Sequence, residues 1–346
     1  MLEVHRGAPP AGWDDLVRDL GGTLFHSTHW ATYMRRAGTT PWYLVDREND
    51  VPAAAAVGLL RRSDRPLVGR FFRSLSLTAH PCAAARRAER IAALLAGAER
   101  AARDAGCAEL FLESWMSGDS GFRPSERGFA ETERVEFLVD LTAPREATWS
   151  AMKKDQRERV RHLEREGVTV SIGTDRQDLT EFRAMQESTQ DRRNRQGMGY
   201  ELEGDDEFYD RVHEQLVRPG VGRLFLARFE GRAIAGIFFH VWNGQAYSMF
   251  SGSTPEGYRL GAQTLLFWRA VERFREEGLH RLNRGGVPAS SAIEGDPLHG
   301  LYRFKTRLGA TPVVCLSGRK ILSPGALRVQ SWVRGLAAAA KGRTST

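Results

Sequence analysis

The chain has 346 residues, of which 41% are apolar and 27% charged, with 17 Phe, 8 Trp and 7 Tyr. That is too long for one ordinary domain and too apolar for a disordered chain, and no run approaches the ~20 uninterrupted apolar residues of a membrane helix. Lys and Arg total 50 against 43 Asp and Glu, a net charge of +7; the first 145 residues are balanced, so the excess lies in the remainder, where no acidic residue follows position 310.

The opening residues, MLEVHRGAPPAGWDDL, lack the basic start and apolar run of a signal peptide, so a cytoplasmic protein is expected. A helix is expected at Asp14–Leu20. Ser27 or Thr28 can cap a short second helix bearing Trp30, Tyr33 and Met34 on one face. WYLVDR and VPAAAAVGLLRR read as a hairpin, GRFFRSLSL as a third strand and Ala83–Ala105 as an Ala-rich helix stopped at Gly106. CAELFLES and VEFLVDL close the first half.

The second half repeats that order. Pro144–Glu166 reads as one charged helix ended by Gly167, followed by the strand VTVSI and helices near Leu179–Arg193 and Asp206–Leu216. Three strands follow, RLFLARFE, RAIAGIFFHVW and QAYSMFSGS, turning at Glu230-Gly231 and Asn243-Gly244; Asn-Gly is a strong hairpin signal. Then come a helix at Gly261–Glu277, the strand LHRLN, a Gly/Pro/Ser loop, the helix LHGLYRFKTRL and the strand TPVVCLSG. Each half thus reads as helix, antiparallel meander, helix, then a strand inserting parallel beside the meander. An α+β protein of two tandem copies is expected, with domains at 1–143 and 144–323 and a basic helical tail over 324–346.

Cys82, Cys107 and Cys315 are odd in number and far apart, which gives neither a disulfide framework nor a metal pair. His26 and His29 read as a polar turn before a helix. No metal site is expected, and no Ser-His-Asp or Cys-His set has a recognisable local signature.

The stretch from Ala246 to Leu308 is the most specific. Its Trp268 helix, the strand ending Gly285-Gly286-Val287 and the run Gly300-Leu301-Tyr302-Arg303-Phe304-Lys305 resemble the second domain of the FemXAB family. FHSTHW, KKDQRERVRHLEREGVTV and ESTQDRRNRQGM are similar to further family segments, in the family's order. The resemblance implies two tandem GNAT-like acyltransferase domains, with aminoacyl-tRNA as co-substrate and no resident cofactor. It also implies an amide formed with an amine of a small molecule, peptide or cell-wall precursor. Three positions depart from the pattern. Asn283 stands where the family has Asp, Met34 where cell-wall members have a phosphate-binding Lys, and SLTAHPC replaces a PRGP segment. These shift the expected acceptor away from a nucleotide-linked precursor.

Aminolysis of an activated ester needs positioning and charge stabilisation more than a nucleophilic side chain. The resemblance makes Lys305 the expected catalytic residue. Phe304, Tyr302, Arg303, Asn283, Gly285 and Gly286 are the expected substrate-binding residues. Lys153, Arg157 and Arg161, spaced along one helical face, and Arg259 are the expected tRNA-phosphate contacts. No general base is identifiable. Asp119, Glu113 and Glu294 are polar candidates in or near loops. The alternative is an acyl-CoA-dependent N-acyltransferase, for which Tyr258-Arg259-Leu260-Gly261-Ala262-Gln263 offers half of a pyrophosphate loop.

Overall fold

The computed structural model describes residues 1–62, 73–197, 199–202, 206–329 and 332. In chain order, β1 is Leu2–Arg6, α1 Trp13–Asp19, α2 Thr28–Tyr33, β2 Thr39–Glu48, β3 Val51–Arg62, β4 Arg73–Leu77, α3 Arg87–Asp104, β5 Glu109–Leu112 and β6 Ala130–Asp140. They are followed by α4 Arg145–Ala151, α5 Lys154–Arg165, β7 Thr169–Gly173, α6 Arg176–Arg195 and α7 Asp206–Val212. The remainder is β8 Gly222–Phe229, β9 Arg232–Trp242, β10 Gln245–Ser253, α8 Pro255–Leu260, α9 Ala262–Glu276, β11 Arg281–Pro288, α10 His299–Arg307 and β12 Thr311–Ile321.

The contacts divide the chain into two compact units, residues 1–133 with 315–346, and residues 134–314. This differs from the expected division at 143/144 and 323/324. The reason is pairing. From Gly318 onward β12 runs antiparallel to β5, so the last strand groups with the first unit. Of the expected tail helix, 324–329 is helical, and most of the rest lies outside the described residues.

In the first unit the strands run β1-β2-β3-β4-β5-β12. The β2–β3 turn places Asn49 and Asp50 at positive φ, as a two-residue hairpin requires. Ser27 caps α2 by accepting from the Trp30 amide, as its sequence suggests. The inserted strand is parallel, with β4 beside β5. The apolar side of α3, with Ile91, Leu94, Leu95 and Ala98, packs on Leu44, Ala56 and Leu75 of that sheet. His26 is a structural residue: it caps the turn after Thr23 and its Nε2 meets the His80 carbonyl at 2.7 Å. All three cysteines are buried and free.

In the second unit the order is β6-β11-β10-β9-β8-β7. Here too the meander β8-β9-β10 is antiparallel and β11 enters parallel to β10. Asn243 and Gly244 both sit at positive φ in the β9–β10 turn. The core lies between this sheet and α9, whose Leu266, Phe267, Ala270 and Phe274 meet Leu282, Phe239 and Phe225. The single helix expected over Pro144–Glu166 is two. Met152 and Lys153 are extended, with ψ of 139° and 148°. Met152 is buried in the core, and Gly309 packs against the Ala151–Met152 backbone, so close that an added Cβ would lie 2.9 Å from it. Tertiary packing thus overrides a continuous helical pattern.

Candidate active site

Pairing of β10 with β11 runs from Gln245–Arg281 to Tyr247–Asn283. At that point β11 bulges against β6, with the register shifting between Asn283 and Gly286. Gly285 occupies the bulge at φ +68°, a conformation open to glycine. A Cβ there would lie 2.8 Å from the Ser248 carbonyl and 3.6 Å from Lys305 Nζ. A side chain there would clash with the Ser248 carbonyl, and the position lies within ordinary contact of Lys305 Nζ where the strands part.

Lys305 is the most buried residue of α10, 9% exposed, although its neighbours Leu301, Phe304 and Leu308 give that helix its apolar face. Its ammonium donates to the Arg284 carbonyl at 2.5 Å and lies 5.4 Å from the centre of the Phe137 ring. Burial is the main reason its pKa falls well below the usual lysine value, and the nearby Arg284, Arg134 and Arg193 lower it further against the opposing pull of Glu136.

Beside it is a buried polar network. Glu136 and Asn283 are both fully buried. Asn283 Nδ2 donates to Glu136 Oε2 at 2.6 Å, and its Oδ1 accepts from the Gly285 amide at 2.8 Å. The Tyr247 hydroxyl donates to Glu136 Oε1 at 3.3 Å, and Arg134 lies 3.6 Å from that same oxygen. The departure from the family's Asp therefore has a local reason. Opposite Glu136, a second carboxylate would set two acceptors face to face, whereas an amide supplies the donor. Sequence reasoning missed Glu136, Tyr247 and Arg134. The available signal was an acid in the middle of the apolar strand VEFLVDL.

The other expected residues are spread more widely. The Phe304 ring lies 5.4 Å from the Arg284 guanidinium, and Tyr302 packs edge-on to Phe137 at 5.3 Å. Arg134 occupies the space where a Gly286 side chain would stand. Arg303 and Arg259 are exposed. Lys153 precedes α5 rather than continuing the helical stripe. Arg157 donates to the Ser150 and Met152 carbonyls, which caps the end of α4, and the exposed Arg161 stacks over Trp149 at 5.5 Å. Gln263, where a pyrophosphate loop has a small residue, ties β9 to β10 by donating to the Gly236 and Gly252 carbonyls. The Arg159 side chain fills the space beside Gly261. Of the loop acids, Glu113 accepts from Ser76. A surface groove of about 500 Å³ opens along β7, with Val170, Ile172, Phe225 and Arg269 among its walls; no expected site residue lines it. Among the described residues no His/Cys/Asp/Glu cluster could hold a metal ion, and no helix is long and apolar enough to cross a membrane.

The strand parting, the bulge and the helix behind it belong to a GNAT-like fold. Residues 150–306 match the family described as Acetyltransferase (GNAT) domain. The whole fold is similar to that of FemX, with a TM-score of 0.73 at 14% identity over 94% of this chain and 99% of that one. It is also similar to L-PGS from Bacillus licheniformis (TM-score 0.57, 15% identity, 95% and 96% covered). A tandem GNAT protein from the clavulanic acid biosynthesis pathway matches at TM-score 0.50 and 15% identity, with 93% and 100% covered. No curated protein matches the sequence. The α+β architecture of two GNAT-like units and the FemX-like fold expected from the sequence are thus the ones found.

Proposed function

We propose that the protein is an amide-forming acyltransferase that moves an aminoacyl group from aminoacyl-tRNA to the amine of a small molecule, peptide or cell-wall precursor. The observation that carries this reading is Lys305 Nζ, buried beside Gly285 where β10 and β11 part. A substrate carbonyl held in that parting meets the N–H groups of Lys305 Nζ, which stabilise the oxyanion formed as the amine attacks. The C–N bond forms, the ribose C–O bond breaks, and the attacking amine loses a proton. With its pKa lowered by burial, Lys305 acts in this reading as the free amine: it takes up that proton, becomes the ammonium, and returns the proton to the departing ribose oxygen, so no further base is required. Glu136, held by Asn283, Tyr247 and Arg134, balances the positive charge gathered around Lys305.

The FemX-like fold and the positive balance of residues 146–346 support a polyanionic donor. The test is transfer from charged tRNA against transfer from acetyl-CoA, each offered the same panel of amines, with and without RNase. Product from charged tRNA alone, abolished by RNase and falling steeply with salt, is expected. RNase-insensitive product from acetyl-CoA would replace the tRNA donor with a CoA thioester.

A further inference from the structure

Arg284 is a buried cation with no counter-ion in view. Along β11, side chains alternate between faces. Asn283 turns toward Glu136, while Leu282 joins the core beneath α9. Arg284 points the same way as Leu282, its guanidinium carbon 4.0 Å from the centre of the Phe267 ring on α9 and 5.4 Å from that of Phe304 on α10. The residue is 8% exposed, and its Nη1 is buried without a hydrogen-bond partner. Among the described residues no carboxylate forms an ion pair with it; Glu136 pairs with Arg134 instead. Burial lowers its pKa to about 9, which still leaves it charged at neutral pH.

A desolvated ion without a partner is costly, and stacking on aromatic faces offsets only part of that cost. Two phenylalanine rings lie against the guanidinium, and its Nη1 is left without a partner for its charge. We propose that Arg284 is the receptor for a singly charged oxyanion of a substrate, a carboxylate or a phosphodiester, bound at its guanidinium beside Phe267 and Phe304. The role assigned to that anion rests on the acyl-transfer reading. Its position suits such a role, because the carbonyl of Arg284 itself accepts from Lys305 Nζ at 2.5 Å. The anion is therefore held by the same residue whose carbonyl receives Lys305 Nζ, so the charge and the reactive group belong to one compact segment of substrate. A carboxylate near the acceptor amine and the phosphate of the donor's terminal nucleotide both have this form. A guanidinium reads either through two parallel N–H groups.

The experiment is ligand-induced thermal stabilisation of the full chain, which needs no turnover. Alanyl-alanine is compared with its amide, whose C-terminal group is neutral, and the dinucleotide cytidylyl-adenosine with adenosine. The charged member of one pair should raise the melting temperature and its neutral counterpart should not; the pair that responds names the source of the anion. Arg284→Leu, which suits the apolar walls, should fold and lose the response. Arg284→Lys, which keeps the charge and loses the fork, should bind at least about tenfold more weakly. Equal stabilisation by charged and neutral members, or an undiminished response in Arg284→Leu, would overturn the assignment. Anion binding without transfer from any donor would instead remove the acyl-transfer reading and leave the anion site standing.

Discussion

Replacing Asn283 by aspartate changes little in shape and much in charge. The amide nitrogen that donates to Glu136 at 2.6 Å becomes a second carboxylate oxygen in a fully buried site. Two unit charges at that separation repel by about 6 kcal/mol at an effective dielectric constant near 20. The pair avoids this by retaining one proton, shared across the short contact, as closely apposed carboxylates do. The folded variant then holds a proton that the unfolded chain releases above about pH 4. A carboxyl pKa raised by folding makes stability fall as pH rises, because the native state binds more protons than the unfolded state. Each pH unit costs about 1.4 kcal/mol, so going from pH 5 to pH 7 removes roughly 3 kcal/mol that the parent keeps. For a cooperative unit of this size that corresponds to a further fall of roughly 6–12 °C in melting temperature. Arg134 moderates the effect without cancelling it, since it already serves the other oxygen. Differential scanning calorimetry of parent and variant between pH 5 and pH 8 reads the difference directly. A melting-temperature gap that does not change with pH would mean that Glu136 and Asn283 do not meet in solution.

Lys305→Ala should lower turnover at least about tenfold, or 1.4 kcal/mol of transition-state stabilisation, while Lys305→Met should melt no lower than the parent, because it removes a buried cation facing Arg284 and Arg134; full activity in either would exclude the lysine from the chemistry. The depressed lysine pKa makes the parent's stability rise with pH toward 10.5, and a urea series at pH 8 and pH 10 should show that slope lost in Lys305→Met. Gly285→Ala should lose about 1–3 kcal/mol from the left-handed backbone alone, and more from the 2.8 Å approach to the Ser248 carbonyl; an unchanged urea midpoint would contradict the bulge. His26 and His80, each lowered to about 4 chiefly by burial, stay neutral when folded and bind protons when unfolded, so the first unit should weaken as pH falls from 6.5 toward 4. The loss is at most about 3 kcal/mol for each histidine, and a flat urea midpoint over that range would show that they are not enclosed.

The duplicated architecture was legible because its signals are local. Asn243-Gly244 demands positive φ at two adjacent residues and so announces a hairpin wherever it stands. Alternation and Gly stops then set β8, β9, β10 and α9. The split of 144–166 into two helices was not legible, since it depends on Met152 seeking the core and on Gly309 closing over the backbone, more than 150 residues apart in the chain. Placing 315–323 with the second domain, where the contacts put it with the first unit, failed for the same reason. A strand's hydrophobic pattern states that it pairs and not with which partner, and β12 finds β5 at a distance of some 200 residues.

The candidate site divides along the same line. Lys305 was found through a motif, yet the motif does not explain why a lysine occupies a helix position that the apolar pattern gives to the core. The structure does: the Arg284 carbonyl receives its ammonium beside Gly285. Residues that act through a partner far along the chain were invisible, because their meaning is pairwise. Glu136 alone in an apolar strand is a defect; with Asn283 147 positions later it is half of a hydrogen bond. Arg284, passed over between two glycine-motif residues, is the converse case. Two phenylalanine rings and the Lys305 ammonium lie near it, and among the described residues no carboxylate pairs with it, so in the proposed reading the completing charge comes from outside the chain.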